Sequence, residues 1–191
     1  LDYFADQGVF ALSFGRSGYV NSTKKLGRIT IDVATDIAEL ATHLGISKFV
    51  NIGLSGGGQH AIATGLDPRS VGVVTMGSLA PYNELRQDFY NGMQQADLDE
   101  YADALKDIKL LVKRFQKWTE GDVGETITGT QLSERDQLAA TKPTWKVALD
   151  SCAFTMQQGW DWVADDYSSY LKPWGFDPRD VRVPTIIWQG G

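Results

Sequence analysis

Apolar and polar positions along the first eighty residues fall into two alternating rhythms. Gly8 to Phe14 (GVFALSF) is a short apolar run and predicts a buried strand. Gly15 to Lys25, rich in Gly, Ser and Asn, predicts a loop. From Ile31 to Leu44 the apolar residues Val33, Ala34, Ile37, Leu40, Ala41 and Leu44 recur at helical spacing. That pattern predicts an amphipathic helix, with Thr30 as N-cap and Gly45 as stop. Phe49 to Gly53 (FVNIG) predicts the next strand, Gly57 to Gly65 a small-residue helix, and Val71 to Met76 (VGVVTM) a third strand. Strands separated by single helices imply a parallel sheet with right-handed crossovers.

After Pro81 the texture changes. From Asn83 to Lys172 the periodicity is helical throughout. Asp97 with Glu100 resembles a capping box, and Leu98, Tyr101, Leu105, Ile108, Val112 and Phe115 form one apolar stripe behind it. Gly121 to Gly129 reads as a flexible connection. Pro143 suits the first turn of a further helix, in which Trp145, Leu149, Cys152 and Met156 share a face and Gly159 terminates. Val181 to Trp188 (VRVPTIIW) returns to strand, with Pro184 near its start, where a missing N–H is tolerable. The expected organisation is an α/β core over residues 1–81, a helical lid over 82–178, and a return to the core sheet over 179–191.

Composition narrows the classes. The chain has 191 residues, enough for one domain with a buried core. No apolar run approaches ~20 residues, so no membrane span is expected. A net charge of −6 without a Lys/Arg stripe argues against nucleic acid as partner. The single cysteine, Cys152, excludes an internal disulfide and sits where a small core residue belongs. It also makes a cytoplasmic location the expectation. The two histidines, His43 and His60, are too few for a typical zinc site, so no metal is expected; the reading of the chemistry given below calls for no cofactor either.

The candidate chemistry lies in Gly53-Leu54-Ser55-Gly56-Gly57. A serine between a strand and a helix, flanked by glycines, fits a nucleophile elbow. The tight turn strains the backbone at Ser55 and lifts its Oγ above the sheet. Gly53 and Gly57 supply room for the close approach of strand and helix. The N–H of Gly56 then points where a developing oxyanion would sit. The blander alternative is a Gly-rich or phosphate-cradling turn, but the spaced glycines and Lys of a P-loop are absent.

From these residues the resemblance becomes specific. Gly15 to Pro81 resembles the α/β-hydrolase family. Arg16-Ser17-Gly18-Tyr19 is similar to its R-P-G-Y loop, with Ser17 where proline is usual, and LGISKFVNIGLSGGGQHAIATG is similar to its elbow unit. Lys172-Pro173-Trp174-Gly175-Phe176 and VRVPTIIWQGG resemble the end of the lid and the next strand in bacterial lid-bearing hydrolases likened to proline iminopeptidases and esterases. The resemblance implies a small-molecule substrate with an ester or small amide bond, attacked by Ser55. It implies an acid and a histidine base after Gly191, and a second oxyanion donor before residue 1. Three alternatives remain open: a non-catalytic binding module, a cofactor-free peroxidase, and a C–C bond hydrolase on the same nucleophile.

Other candidates are weaker. His60 follows Ser55 by five residues, which turns it about 140° away along a helix. His60 therefore reads as a packing residue and His43 as a helix-end residue. Asp165-Asp166 reads as a solvated turn or cap. Trp145, Trp160, Trp162, Tyr167, Tyr170 and Trp174 read mostly as lid core, with one or two facing the substrate.

Overall fold

The computed structural model describes residues 2–119, 133–156 and 159–190. Its core is a parallel sheet of β1 (Phe49–Leu54), β2 (Ser70–Met76) and β3 (Thr185–Trp188), in the order β1-β2-β3. Gly53 lies opposite Thr75, and Thr75 opposite Ile187, so the carboxyl ends of the strands are level. Central β2 buries Val73 and Thr75 almost completely. Preceding the sheet are α1 (Asp2–Asp6) and α2 (Asp32–His43); α3 (Gly58–Thr64) is the crossover from β1 to β2. The parallel α/β expectation therefore holds in outline.

Gly8 to Phe14 is a correction: Gly8 lies in a turn (φ +67°) and Val9 to Phe14 has no regular structure and no ladder, so it is not a strand. Between this segment and the outer edge of β1 runs an open cleft of about 770 Å³, lined by Phe10, Leu12, Val50 and Ile52 among others. A strand needs a neighbour ~4.8 Å away, and no described strand flanks Gly8–Phe14 at that distance. Thr30 is a second correction. It is fully buried, and helix α2 is instead entered through Asp32, whose carboxylate accepts the Ile29 N–H at 2.8 Å. The last strand expected from sequence is shorter than Val181–Trp188: a 3₁₀ turn, Pro178–Asp180, precedes Pro184, and pairing begins at Thr185.

The segment after Pro81 is helical among the described residues. It comprises α4 (Tyr82–Leu85), α5 (Gln95–Lys106), α6 (Ile108–Thr119), α7 (Glu134–Ala140), α8 (Pro143–Met156) and α9 (Asp161–Tyr170). The capping box is not formed. Helix α5 starts at Gln95, which puts Asp97 inside its first turn, and Glu100 is buried and accepts the Tyr167 hydroxyl. The single apolar stripe is also broken. Asp107 is extended (φ −164°, ψ 116°), its carboxylate accepts the Lys109 N–H at 3.0 Å, and the helix restarts as α6. Tyr101 and Leu111 are consequently buried, while Leu105 is 53% exposed. Helix α8 begins at Pro143 as the sequence implies. Gly121–Gly129 and the Cys152 and Met156 side chains lie outside the described residues.

Aromatic rings knit this segment together. Tyr82 meets Phe89 at 5.3 Å, Phe89 meets Tyr101 at 5.1 Å, Tyr101 meets Tyr167 at 5.4 Å, and Tyr167 meets Tyr170 at 5.5 Å between centroids. Such pairs each add about 0.5–1.5 kcal/mol beyond area burial. Beside them, burial pushes the Glu100 carboxyl up to about 7, against the pull of the Tyr167 hydrogen bond. A carboxyl whose folded pKa is raised costs stability as pH climbs from its unfolded value through 7. Glu100→Gln should therefore unfold at higher urea than the parent at pH 8, with the gap closing toward pH 5. Equal midpoints at pH 8 would refute a carboxyl raised by burial.

Candidate active site

Strand β1 ends at Leu54 in extended conformation (φ −108°, ψ 138°), and the chain then reverses at once. Ser55 has φ +51°, a left-handed conformation that a serine rarely adopts. Ser55–Gly57 forms a single 3₁₀ turn that feeds α3 at Gly58. Backbone strain of this kind costs about 1–3 kcal/mol and persists only where the surroundings over-determine it. Here the surroundings are the glycines. A Cβ on Gly53 would lie 2.5 Å from the Gly57 carbonyl oxygen and 2.7 Å from Gly58 Cα. A Cβ on Gly58 would collide with the Ser78 side chain, just past β2. Strand and helix can approach this closely only because both positions lack side chains.

Gly57 behaves differently from the sequence expectation. Nothing lies within 4 Å of where its Cβ would be, so Gly57 is not the residue that makes room. That role falls to Gly58, which was not singled out from the sequence. Gly56 is crowded for a separate reason: a Cβ there would run into the Tyr170 hydroxyl and approach Cζ to 2.9 Å.

Ser55 is solvent-exposed, and neither histidine is bonded to it. His60 is buried on α3, with Nδ1 3.3 Å from the Thr30 carbonyl oxygen. Burial, and then the charge of Arg16, hold its imidazole neutral by lowering the pKa to about 4. His60 is a packing residue, as its helical offset implies. His43 is exposed in the last turn of α2.

The largest departure concerns Asp166. It is not a solvated cap but 3% exposed, and five hydrogen bonds converge on it. Arg16 binds it bidentately at 3.0 and 2.8 Å, Arg28 and the Tyr19 hydroxyl bind it closely, and the Tyr170 hydroxyl donates to Oδ2 at 3.0 Å. Burial alone would raise this carboxyl. The charges and hydrogen bonds of Arg16, then Arg28 and Tyr19, overcome it and hold the pKa at about 2. Arg16 also stacks over the Tyr19 ring at 4.6 Å, and Tyr19 meets Trp162 at 5.4 Å. Neighbouring Lys24 reaches Asp161 at 3.1 Å and Asp165 at 3.5 Å. The Arg16-Ser17-Gly18-Tyr19 loop is thus a dock for α9. The Pro173-Trp174-Gly175 stretch docks as well: the Trp174 carbonyl accepts the Ile31 N–H at 2.9 Å. Gly175 (φ +85°) admits no side chain against Ile29 and Ile31.

The polar contents of the site are therefore Ser55, the Gly56 backbone and the Asp166 cluster behind them. The 770 Å³ cleft is lined by Gly53, Leu54 and Gly57 but not by Ser55, so it is not the pocket that Ser55 faces. Among the described residues no group of three or more His, Cys, Asp or Glu could hold a metal ion. No described helix is long and apolar enough to cross a membrane.

No protein-family model matches the chain, and no curated protein does. Among solved structures, an esterase (EaEST) from Exiguobacterium antarcticum is similar at a TM-score of 0.50 and 22% identity. The match covers 90% of this chain and 59% of the esterase's, so the chain spans less than two thirds of that structure. At this identity the likeness shows a shared mixed α/β fold.

Two sets of substitutions test the geometry. Gly53→Ala should destabilise by about 1–3 kcal/mol through overpacking, whereas Gly57→Ala should stay within ~1 kcal/mol of the parent. Asp166→Ala strands two arginines and should cost about 3–5 kcal/mol. Because the folded pKa of Asp166 lies below its usual 3.8, its contribution is complete above that pH and is lost as pH falls toward 2. Urea titrations across pH 2–7 would expose a misassignment as a flat acid limb.

Proposed function

We propose that Ser55 is the nucleophile of a serine hydrolase of the α/β-hydrolase type, acting on a carboxylic ester or small amide. The observation that carries this reading is the positive φ of Ser55 at a strand-to-helix reversal, with Gly53 and Gly58 pressed together around it. A merely Gly-rich turn would place glycine, not serine, at the left-handed position. Strain concentrated on the one residue with a hydroxyl is the mark of a nucleophile held out for attack. The esterase likeness favours an ester over an amide.

In this reading Ser55 Oγ attacks the carbonyl carbon while its proton passes to a histidine base. The carbonyl π pair moves onto oxygen, where the Gly56 N–H receives it. Collapse expels the alcohol or amine, which takes the proton back, and water then hydrolyses the acyl-enzyme. His60 is buried against the Thr30 carbonyl and His43 lies exposed in the last turn of α2, so neither is assigned as the base. The helical segment 82–178 is assigned as a lid over a small-molecule site, and no cofactor takes part.

The test is a fluorophosphonate probe applied to the natural full-length protein, with the adduct mapped by mass spectrometry. Ser55 should carry the label, and Ser55→Ala should lower ester turnover by about 10⁵- to 10⁶-fold. A folded protein that leaves Ser55 unlabelled, while a control hydrolase reacts, would instead favour a non-catalytic binding module.

A further inference from the structure

Tyr170 is where the helical segment touches the elbow. It ends α9, is 8% exposed, and packs on Tyr167 at 5.5 Å with the rings tilted by 48°. Its hydroxyl lies against Gly56, the residue directly after Ser55, closely enough that no Cβ fits between them. Gly56 is not left-handed, so its backbone does not demand glycine. Tyr170 does. The hydroxyl is held from behind as well, because it donates its proton to Asp166 Oδ2 at 3.0 Å. Asp166 is in turn fixed by Arg16, Arg28 and Tyr19. Gly56 therefore packs against a wall whose position is set by four other side chains.

Resting on the reading of Ser55 as nucleophile, we infer that Tyr170 is a positioning residue: anchored by Asp166, it fixes the Gly56 backbone so that the N–H after Ser55 keeps one orientation. It thereby ties the seating of α9 to the reactivity of Ser55. Tyr170 does not itself donate to the oxyanion, since its one proton is committed to an ionised carboxylate that needs it. Its action runs through shape. Without the hydroxyl, Gly56 gains room to rotate, and the N–H drifts from the position where charge develops. Ground-state binding depends little on that N–H, whereas the transition state depends on it strongly.

The experiment compares Tyr170→Phe with the parent in the full-length protein, using p-nitrophenyl acetate turnover and the rate of fluorophosphonate labelling at Ser55. Tyr170→Phe keeps the ring and removes only the hydroxyl. It should lower kcat and the labelling rate together by about 10- to 100-fold, with KM within about twofold. Gly56→Ala attacks the same contact from the other side and should slow labelling similarly. The double variant should be no slower than the worse single one, because both act through one contact. Multiplying effects would mean independent roles and would overturn the inference. So would parent-like labelling of Tyr170→Phe, or of Gly56→Ala if Tyr170→Phe does not fold. A parent protein in which Ser55 never labels would take down the hydrolase reading itself. That outcome is distinct from one in which parent and variants label alike.

Discussion

Asp166 is the constraint on which the arrangement around Ser55 depends. One carboxylate collects Arg16 and Arg28 from the loop region before α2, Tyr19 from the same loop, and Tyr170 from its own helix. Arg16, Tyr19 and Arg28 lie 138 to 150 residues from Asp166 in sequence, so the carboxylate closes a long loop of chain. Taking such a group from water costs several kcal/mol, and only a full set of partners offsets it. The cluster is therefore close to all-or-none. Where one member leaves, the others are stranded in a buried place, and the dock between the loop and α9 loses its basis.

The elbow obeys a similar logic with backbone instead of charge. Ser55 accepts an unfavourable φ because β1 is registered against β2 on one side and α3 presses from the other. Gly53 and Gly58 permit that approach, and Gly56 permits the approach of Tyr170. Three glycines thus answer to three different neighbours, and a fourth, Gly57, answers to none. A Gly-rich run looks uniform in sequence, yet each member carries a separate requirement set by what comes to face it.

This explains what could and could not be read in advance. The apolar pattern located α2 by its helical spacing, and β1, α3 and β2 as short runs of apolar or small residues, because each signal lies within a few contiguous residues. It placed Ser55 at the reversal because the strand, the small residues and the helix are contiguous. Gly8–Phe14 misled because an apolar run specifies burial without naming a ladder partner. The α5–α6 stripe misled because Asp107 can supply a side-chain acceptor to the next N–H, and that local bond outweighs an unbroken spacing. Asp166 was invisible for a different reason. Its partners are remote in sequence, and an Asp-Asp pair after two tryptophans looks like solvated surface until Arg16 and Arg28 are brought to it.

The coupling between the helical segment and Ser55 is better understood as contact than as field. Asp166 carries one negative charge against the two guanidinium groups on it, so the cluster keeps one positive charge, which the neutral Tyr170 hydroxyl neither adds to nor moves. Tyr170 contributes no mobile proton, because its hydroxyl is already donated to Asp166. What remains is its shape. The ring contacts running from Tyr82 through Phe89, Tyr101 and Tyr167 end at Tyr170, and Tyr170 ends at Gly56. Packed rings resist compression, so displacement of α5 or α9 is felt at the backbone beside Ser55 without any change in charge. Any shift of those helices would therefore act on the geometry at Gly56 through the same rings that hold the segment together.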